Sequence, residues 1–121
     1  MPWQYSQSTG VLTRDGRVVG TGYSGAAGVG RNNPDAERLT DVGPIPRGQY
    51  RIGAQYSHQS KGPVTMALNP VNHSAHGRMH FLIHGDSIRN PGNASQGCII
   101  LRRDIRERIA NSGDAVLEIV R

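Results

Sequence analysis

Short alternating runs of apolar and polar residues predict a chain built mostly of β-strands. Residues 10–13 and 17–21 flank Asp15-Gly16, a dipeptide typical of a two-residue hairpin turn. Further strands are predicted over 49–52, 64–68, 78–84, 98–101 and 115–120. Asn69-Pro70 should end the strand that precedes it. In the strand over 78–84, alternation would place His80 and His84 on one face.

Only the segment 102–111 has the periodicity of a helix. Leu101, Ile105 and Ile109 recur every four residues and form one apolar stripe. Gly113 suits the end of that helix. The stretch 23–41, rich in Gly, Asn and Pro, is expected to be a long loop that is functional or mobile.

The composition fits a single small β-rich domain. A chain of 121 residues with 16 Gly and 7 Pro has room for one core, so we expect one domain over 1–121. The net charge of +5 and pI near 10.1 favour an anionic partner such as nucleic acid, a membrane surface or an acidic wall polymer. Arginines are scattered and Lys61 is the sole lysine, which disfavours nucleic acid.

The chain shows no signature of membrane insertion, disulfide bonding or cleaved export. No apolar stretch reaches the length that spans a bilayer, and one cysteine excludes an intramolecular disulfide. The first residues lack the basic and apolar regions of a signal peptide. We therefore expect synthesis in the cytoplasm without a signal peptide.

Cys98 and His84 form the candidate catalytic pair. His84 ends the apolar run Phe81-Leu82-Ile83, and Cys98 follows Ser95-Gln96-Gly97. A thiol needs a base near neutral pH, and an adjacent imidazole supplies one. Such a partner is expected to hold the pKa of the thiol below the free value of about 8.5. A buried, inert cysteine is the plain alternative.

The neighbouring residues have candidate supporting roles. Gly97 would shape the turn, with its N–H and that of Cys98 as oxyanion donors. Ser95 would donate to substrate or stabilise the turn. Either Asp86 or a backbone carbonyl near Gly85 would orient the imidazole.

The sequence also offers two alternatives to a catalytic Cys98–His84 pair. Four histidines (His73, His76, His80 and His84) suggest zinc, but Asn69-Pro70 and Gly77 oppose the helix that would align them. We expect no metal and no cofactor. A papain-like thiol peptidase has the opposite order, with the cysteine before the histidine and on a helix.

The motifs around Cys98 and His84 resemble those of L,D-transpeptidases, which carry His-Gly at a strand end followed by Ser/Thr-x-Gly-Cys. Over nearly its whole length the chain most resembles the type VI secretion L,D-transpeptidase effectors. The matching segments are Tyr5 with Ser8-Thr9-Gly10 and Leu12, Gly22-Tyr23-Ser24-Gly25, Gly43-Pro44-Ile45-Pro46-x-Gly48-x-Tyr50, Phe81 to Asp86, and Ala94-Ser95-x-Gly97-Cys98-Ile99-Ile100-Leu101.

This resemblance implies a fold, a reaction and a partner. The fold would be a small β-sandwich-like catalytic domain with a short helix after the cysteine. The enzyme would act on peptidoglycan stem tetrapeptides through a cysteine acyl-enzyme, as an L,D-carboxypeptidase, as an L,D-transpeptidase that exchanges D-amino acids, or as both. Delivery into the periplasm of a target bacterium and a cognate immunity protein are also implied.

Two departures from the family pattern leave the substrate contacts open. Gln96 stands where many members have His, so His84 would be the sole base, and Ile100 stands where many have Arg. Candidates for binding the substrate are Arg102, Arg89, Arg78, His80 and Tyr23. The competing function is a non-catalytic basic module that binds cell wall or a partner.

Overall fold

The computed structural model describes residues 2–121, and the expected class, mainly β with one short helix after Cys98, is confirmed. The strands are β1 Trp3–Ser6, β2 Val11–Arg14, β3 Arg17–Thr21, β4 Tyr23–Ser24, β5 Gly48–Ile52, β6 Tyr56–His58, β7 Gly62–Val71, β8 Phe81–His84, β9 Ile99–Ile100 and β10 Val116–Val120. Helix α1 is Arg103–Asn111, and 3-10 turns span Pro34–Ala36 and Ala75–Gly77.

Ten strands form one sheet that curls so that its two edge strands come close to each other. Its order is β3-β2-β1-β10-β5-β7-β8-β9-β4, with β6 paired to β7. The pairs β1/β10 and β8/β9 are parallel, and the others are antiparallel. Only Gly22 separates β3 from β4 in the chain, so the two edge strands are neighbours and the sheet is nearly closed.

One apolar core fills the inside of this curled sheet. Trp3, Tyr5 and Tyr50 are its largest fully buried side chains. Ile105 and Ile109 of α1 join the same cluster, as the helical stripe predicts. Burial of side chains from opposite ends of the sheet and from the helix gives the sandwich-like arrangement expected. Among residues 2–121, no helix is both long enough and apolar enough to cross a bilayer.

The local turn signal was right at one hairpin and misleading at one strand. Asp15 and Gly16 have φ of 53° and 77°, the left-handed pair that a type I′ turn needs. Pro70, however, does not end β7, which continues to Val71. Pro70 pairs with Tyr50 of β5, whereas β8 pairs with β7 only as far as Leu68. No neighbour on that side needs a proline N–H.

The strand predicted over 78–84 begins only at Phe81, so the face assigned to His80 was wrong. His80 has a φ of 68°, outside the extended region. Side-chain alternation applies only within the strand. His80 and His84 therefore do not share a strand face.

We expect Gly22→Ala to destabilise the protein by about 1–3 kcal/mol, the usual cost of overpacking. A Cβ at position 22 would overlap the carbonyl oxygen of Ile100, where the sheet closes. Gly53→Ala is the matched control, because its Cβ would have no neighbour closer than 3.5 Å. Urea unfolding of both variants measures the difference, and equal stability would contradict this account of the closure.

Candidate active site

Parallel pairing of β8 with β9 brings Cys98 and His84 to one edge of the fold. Ile83 lies opposite Ile99, and His84 lies opposite Ile100. Cys98 directly precedes β9, and its thiol interacts with the N–H of Leu82 in β8. Leu82 and His84 are two residues apart and so face the same side. The expected return of the chain to one edge is confirmed.

His84 is held as a neutral imidazole with one nitrogen unused. Its Nδ1 lies 2.8 Å from the carbonyl oxygen of Gly85, so Nδ1 carries the proton and donates it. Its Nε2 is buried and has no hydrogen-bond partner among residues 2–121. Burial lowers the pKa of His84 despite the opposing hydrogen bond to Gly85, and the charges of Lys61 and Arg106 lower it further. At neutral pH, Nε2 is therefore a free proton acceptor.

Cys98 is a protonated thiol in the resting site. Its Sγ lies 3.9 Å from the carbonyl oxygen of His80 and forms no hydrogen bond with His84 within the described chain. Burial raises the pKa of Cys98, although the Leu82 N–H and the charges of Lys61 and Arg78 oppose this. The expectation of a lowered thiol pKa is therefore wrong for the free site, because loss of hydration outweighs the nearby positive charges.

Ser95 is the centre of the turn that carries the cysteine. Its Oγ donates to the carbonyl of Cys98 at 2.6 Å and accepts from the N–H groups of Gly97 at 3.1 Å and Gly25 at 2.9 Å. Ser95 thus stabilises the turn, which was one of its two candidate roles. The Gly97 N–H is already used, so it does not fit the predicted oxyanion role.

Gly97 is required by the shape of this turn. Its φ of +138° strains any L side chain, and a Cβ would lie 2.5 Å from Nη2 of Arg78. The N–H of Cys98 itself forms no hydrogen bond with other residues of 2–121. The Cys98 N–H is therefore the backbone hydrogen-bond donor that remains available next to the thiol.

Asp86 and Tyr23 hold the loop between His84 and Cys98. The Tyr23 hydroxyl donates to Asp86 Oδ1 at 2.6 Å and accepts from the N–H of Ala94 at 3.0 Å. Asp86 also accepts from the N–H groups of Ser87 and Gly92. Burial, and then the hydrogen bond to Asp86, raise the pKa of Tyr23 to about 12. Asp86 caps the loop, and the Gly85 carbonyl orients His84.

Arg78 is a structural residue, which corrects its assignment as a substrate ligand. The residue is buried, and its two terminal nitrogens donate to four backbone carbonyls at 2.6–3.2 Å. Those carbonyls belong to Glu37, Pro44, Gly43 and Gln96. Arg78 thus ties the long loop to the cysteine turn, and its terminal N–H groups are not free for a carboxylate.

The other predicted substrate ligands line the cavity without being fixed there. Arg102 is exposed and lies 3.3 Å from Asp104, and Arg89 and His80 are exposed as well. A cavity of about 1400 Å³ is lined by these residues and by Cys98 and His84. Arg106, not considered in the sequence analysis, also lines the cavity. Arg106 lies on the polar side of the predicted helix, a position that predicts exposure to solvent rather than burial.

The cavity is basic and holds no metal cluster. Its lining includes Lys61, Arg78, Arg89, Arg102, Arg103 and Arg106 but only two acids, Asp41 and Asp86. Within residues 2–121, no three His, Cys, Asp or Glu side chains are grouped to hold a metal ion. His73 contacts the carbonyl of Gln49, and His76 contacts Glu37. The side chains of His73 and His76 thus have separate partners.

A family model described as the Tlde1 domain matches residues 19–118. The chain belongs to the Tlde1 domain family. This family consists of type VI secretion effectors that resemble L,D-transpeptidases. The matched range contains both His84 and Cys98. No curated protein matches the chain in sequence.

A solved structure has a fold similar to that of this Tlde1 chain. The crystal structure of the helical cell shape determining protein Pgp2 from Campylobacter jejuni is similar, with a TM-score of 0.61 and 16% sequence identity. The alignment covers 97% of this chain and 46% of the other. This Tlde1 chain therefore spans about half the length of that protein, and the likeness concerns the fold alone.

We expect alkylation of Cys98 by iodoacetamide to accelerate with pH, with a midpoint above the free-thiol value of about 8.5. Burial raises the pKa of Cys98, so the reactive thiolate forms only at higher pH. Mass spectrometry of quenched samples measures the rate, with free cysteine as the control. A midpoint below 8.5 would show that the resting pair is ionised.

Proposed function

We propose that this Tlde1 domain is a cysteine-dependent enzyme that cleaves and exchanges the terminal D-amino acid of peptidoglycan stem tetrapeptides. The observation that carries the proposal is the tautomer of His84. Its Nδ1 proton is held by Gly85, which leaves Nε2 as an unpaired base in the cavity that also contains the chain's only thiol. Family membership supports peptidoglycan as the target.

Acylation begins from a neutral thiol and a neutral imidazole. Nε2 of His84 takes the Cys98 proton while Sγ attacks the carbonyl carbon between stem residues three and four. The resulting oxyanion accepts a hydrogen bond from the Cys98 N–H. The C–N bond then breaks as His84 returns the proton to the departing amine. A D-amino acid leaves, and a thioester remains on Cys98.

The acceptor that attacks the thioester determines the product. His84 removes a proton from water or from the amine of a D-amino acid, which attacks the thioester carbon. Water releases the shortened stem peptide, and an amine gives an exchanged or cross-linked one. The Cys98 thiol is restored in each case. Carboxypeptidase and transpeptidase activity therefore share one acyl-enzyme.

We expect Cys98→Ala to reduce the release of D-Ala from a disaccharide tetrapeptide by about 10⁴-fold or more, because no nucleophile remains. His84→Gln should cost about 10²- to 10⁴-fold, the usual contribution of a general base. Mass spectrometry of the products, with and without an added D-amino acid, measures cleavage and exchange together.

Ser57→Ala is the control for that experiment, because Ser57 is exposed on β6 and should keep full activity. Thermal unfolding shows that each variant is folded. Activity retained in folded Cys98→Ala protein would refute the nucleophile. Wall binding without any cleavage by the unaltered protein would favour the non-catalytic basic module.

Delivery to the periplasm should determine toxicity, because peptidoglycan lies outside the cytoplasm. We propose that the domain acts in the periplasm of a target bacterium and that an immunity protein protects its producer. Expression in a bacterial cytoplasm should be harmless, whereas fusion to an export signal should impair growth or cell shape. Growth curves and microscopy measure the effect.

The exported Cys98→Ala variant is the control for toxicity and should be harmless at equal abundance. Toxicity that survives this substitution would contradict an enzymatic effect. Equal toxicity in both compartments would indicate a target other than peptidoglycan.

A further inference from the structure

We propose that Arg106 binds the terminal carboxylate of the D-amino acid that leaves the stem peptide. This inference rests on the proposed function and assigns a substrate contact within it. Arg106 projects from α1 into the cavity that contains Cys98 and His84. The residue is buried, unlike the exposed arginines 102 and 103 that precede it.

The Arg106 guanidinium is held rigidly by backbone carbonyls. Nε donates to Leu101 at 3.0 Å, and Nη1 donates to Pro63 at 2.7 Å and Val64 at 3.2 Å. These bonds span α1 and the start of β7. A guanidinium fixed at two nitrogens loses little further freedom when its third nitrogen binds a ligand.

The remaining nitrogen, Nη2, is available to a ligand. It forms no hydrogen bond with any residue of 2–121. In contrast to Nε2 of His84, it is not among the buried unpaired polar atoms, so solvent still reaches it. A Cβ at Gly85 would lie 2.8 Å from Nη2. The glycine therefore leaves open the space in front of the guanidinium.

This position fits the leaving group. Gly85 follows His84, and its carbonyl fixes the imidazole. Leu101 accepts from Arg106 Nε and donates its own N–H to the His84 carbonyl at 3.1 Å. The carboxylate and the amine of an α-amino acid are both attached to the α-carbon. A carboxylate on Nη2 therefore brings the departing amine to the side of the cavity where His84 must protonate it.

The other cations of the cavity fit this role less well. The terminal nitrogens of Arg78 are used by carbonyls. Arg102 is paired with Asp104, and Arg103 is paired with Glu107 at 3.5 Å. A fixed arginine that recognises a terminal carboxylate would restrict the enzyme to chain ends. Internal bonds and C-terminal amides would then be poor substrates.

The test compares a stem tetrapeptide with its C-terminal amide, which lacks only the negative charge. Both are titrated into folded Cys98→Ala protein by calorimetry, so binding is measured without catalysis. We expect the amide to bind roughly 10- to 100-fold more weakly, the value of a hydrogen bond between charged groups. Equal affinity for the two peptides would overturn the assignment of Arg106.

A second variant identifies the residue responsible. Arg106→Gln in the Cys98→Ala protein should abolish the preference for the acid, whereas the control Arg103→Gln should keep it. A preference that survives Arg106→Gln would also overturn the proposal. Because Arg106 supports Pro63 and Val64, thermal unfolding checks that each variant is folded. If Arg106→Gln fails to fold, Arg106→Lys takes its place. The lysine variant is expected to show a reduced preference for the acid.

Activity separates this inference from the proposed function. If the unaltered enzyme cleaves the acid and the amide with equal kcat/KM, the Arg106 assignment fails and the proposed function stands. If it cleaves neither peptide, the proposed function fails, and the binding preference still decides whether Arg106 holds a carboxylate.

Discussion

The parallel pairing of β8 with β9 is the constraint on which the site depends. A parallel neighbour cannot be reached by a tight turn, so the chain needs the whole segment 85–98 to return to the same edge. That crossover contains no helix or strand, so its buried polar groups need partners from side chains rather than from a regular backbone ladder. Ser95, Asp86 and Arg78 supply them through the bonds described above. Residues that resemble catalytic helpers in the sequence are thus largely occupied in holding this loop.

Burial explains why Cys98 and His84 rest in their neutral forms. Removing Cys98 and His84 from water disfavours a thiolate and an imidazolium alike, and both pKa directions agree with this. The Gly85 carbonyl then matters more than a carboxylate would, because it selects the tautomer without adding a charge that favours imidazolium. In the proposed mechanism, the proton therefore moves from Cys98 to His84 only as the thiol attacks the substrate.

Local signals in the sequence were sufficient for part of the fold, whereas the pairing of His84 with Cys98 remains a prediction. The Asp15-Gly16 hairpin and the stripe of α1 depend on neighbours within a few residues, and both are present. The start of β8 depends on the left-handed His80, and the length of β7 past Pro70 depends on which side has a neighbouring strand. These features depend on tertiary contacts, which the periodicity of apolar residues in the sequence does not reveal.

The two buried arginines show how so small a domain keeps its cavity basic. Arg78 and Arg106 are stabilised by backbone carbonyls rather than by carboxylates. A carboxylate partner would cancel each positive charge, whereas a carbonyl dipole satisfies the N–H groups and leaves the charge in place. Burying a cation that has no anionic partner costs desolvation free energy. An anion that binds to the cation takes the place of the lost water and reduces this cost. Part of the net charge of +5 therefore lies inside the cavity, where it attracts anions most strongly. A substrate that ends in a carboxylate complements this positive charge.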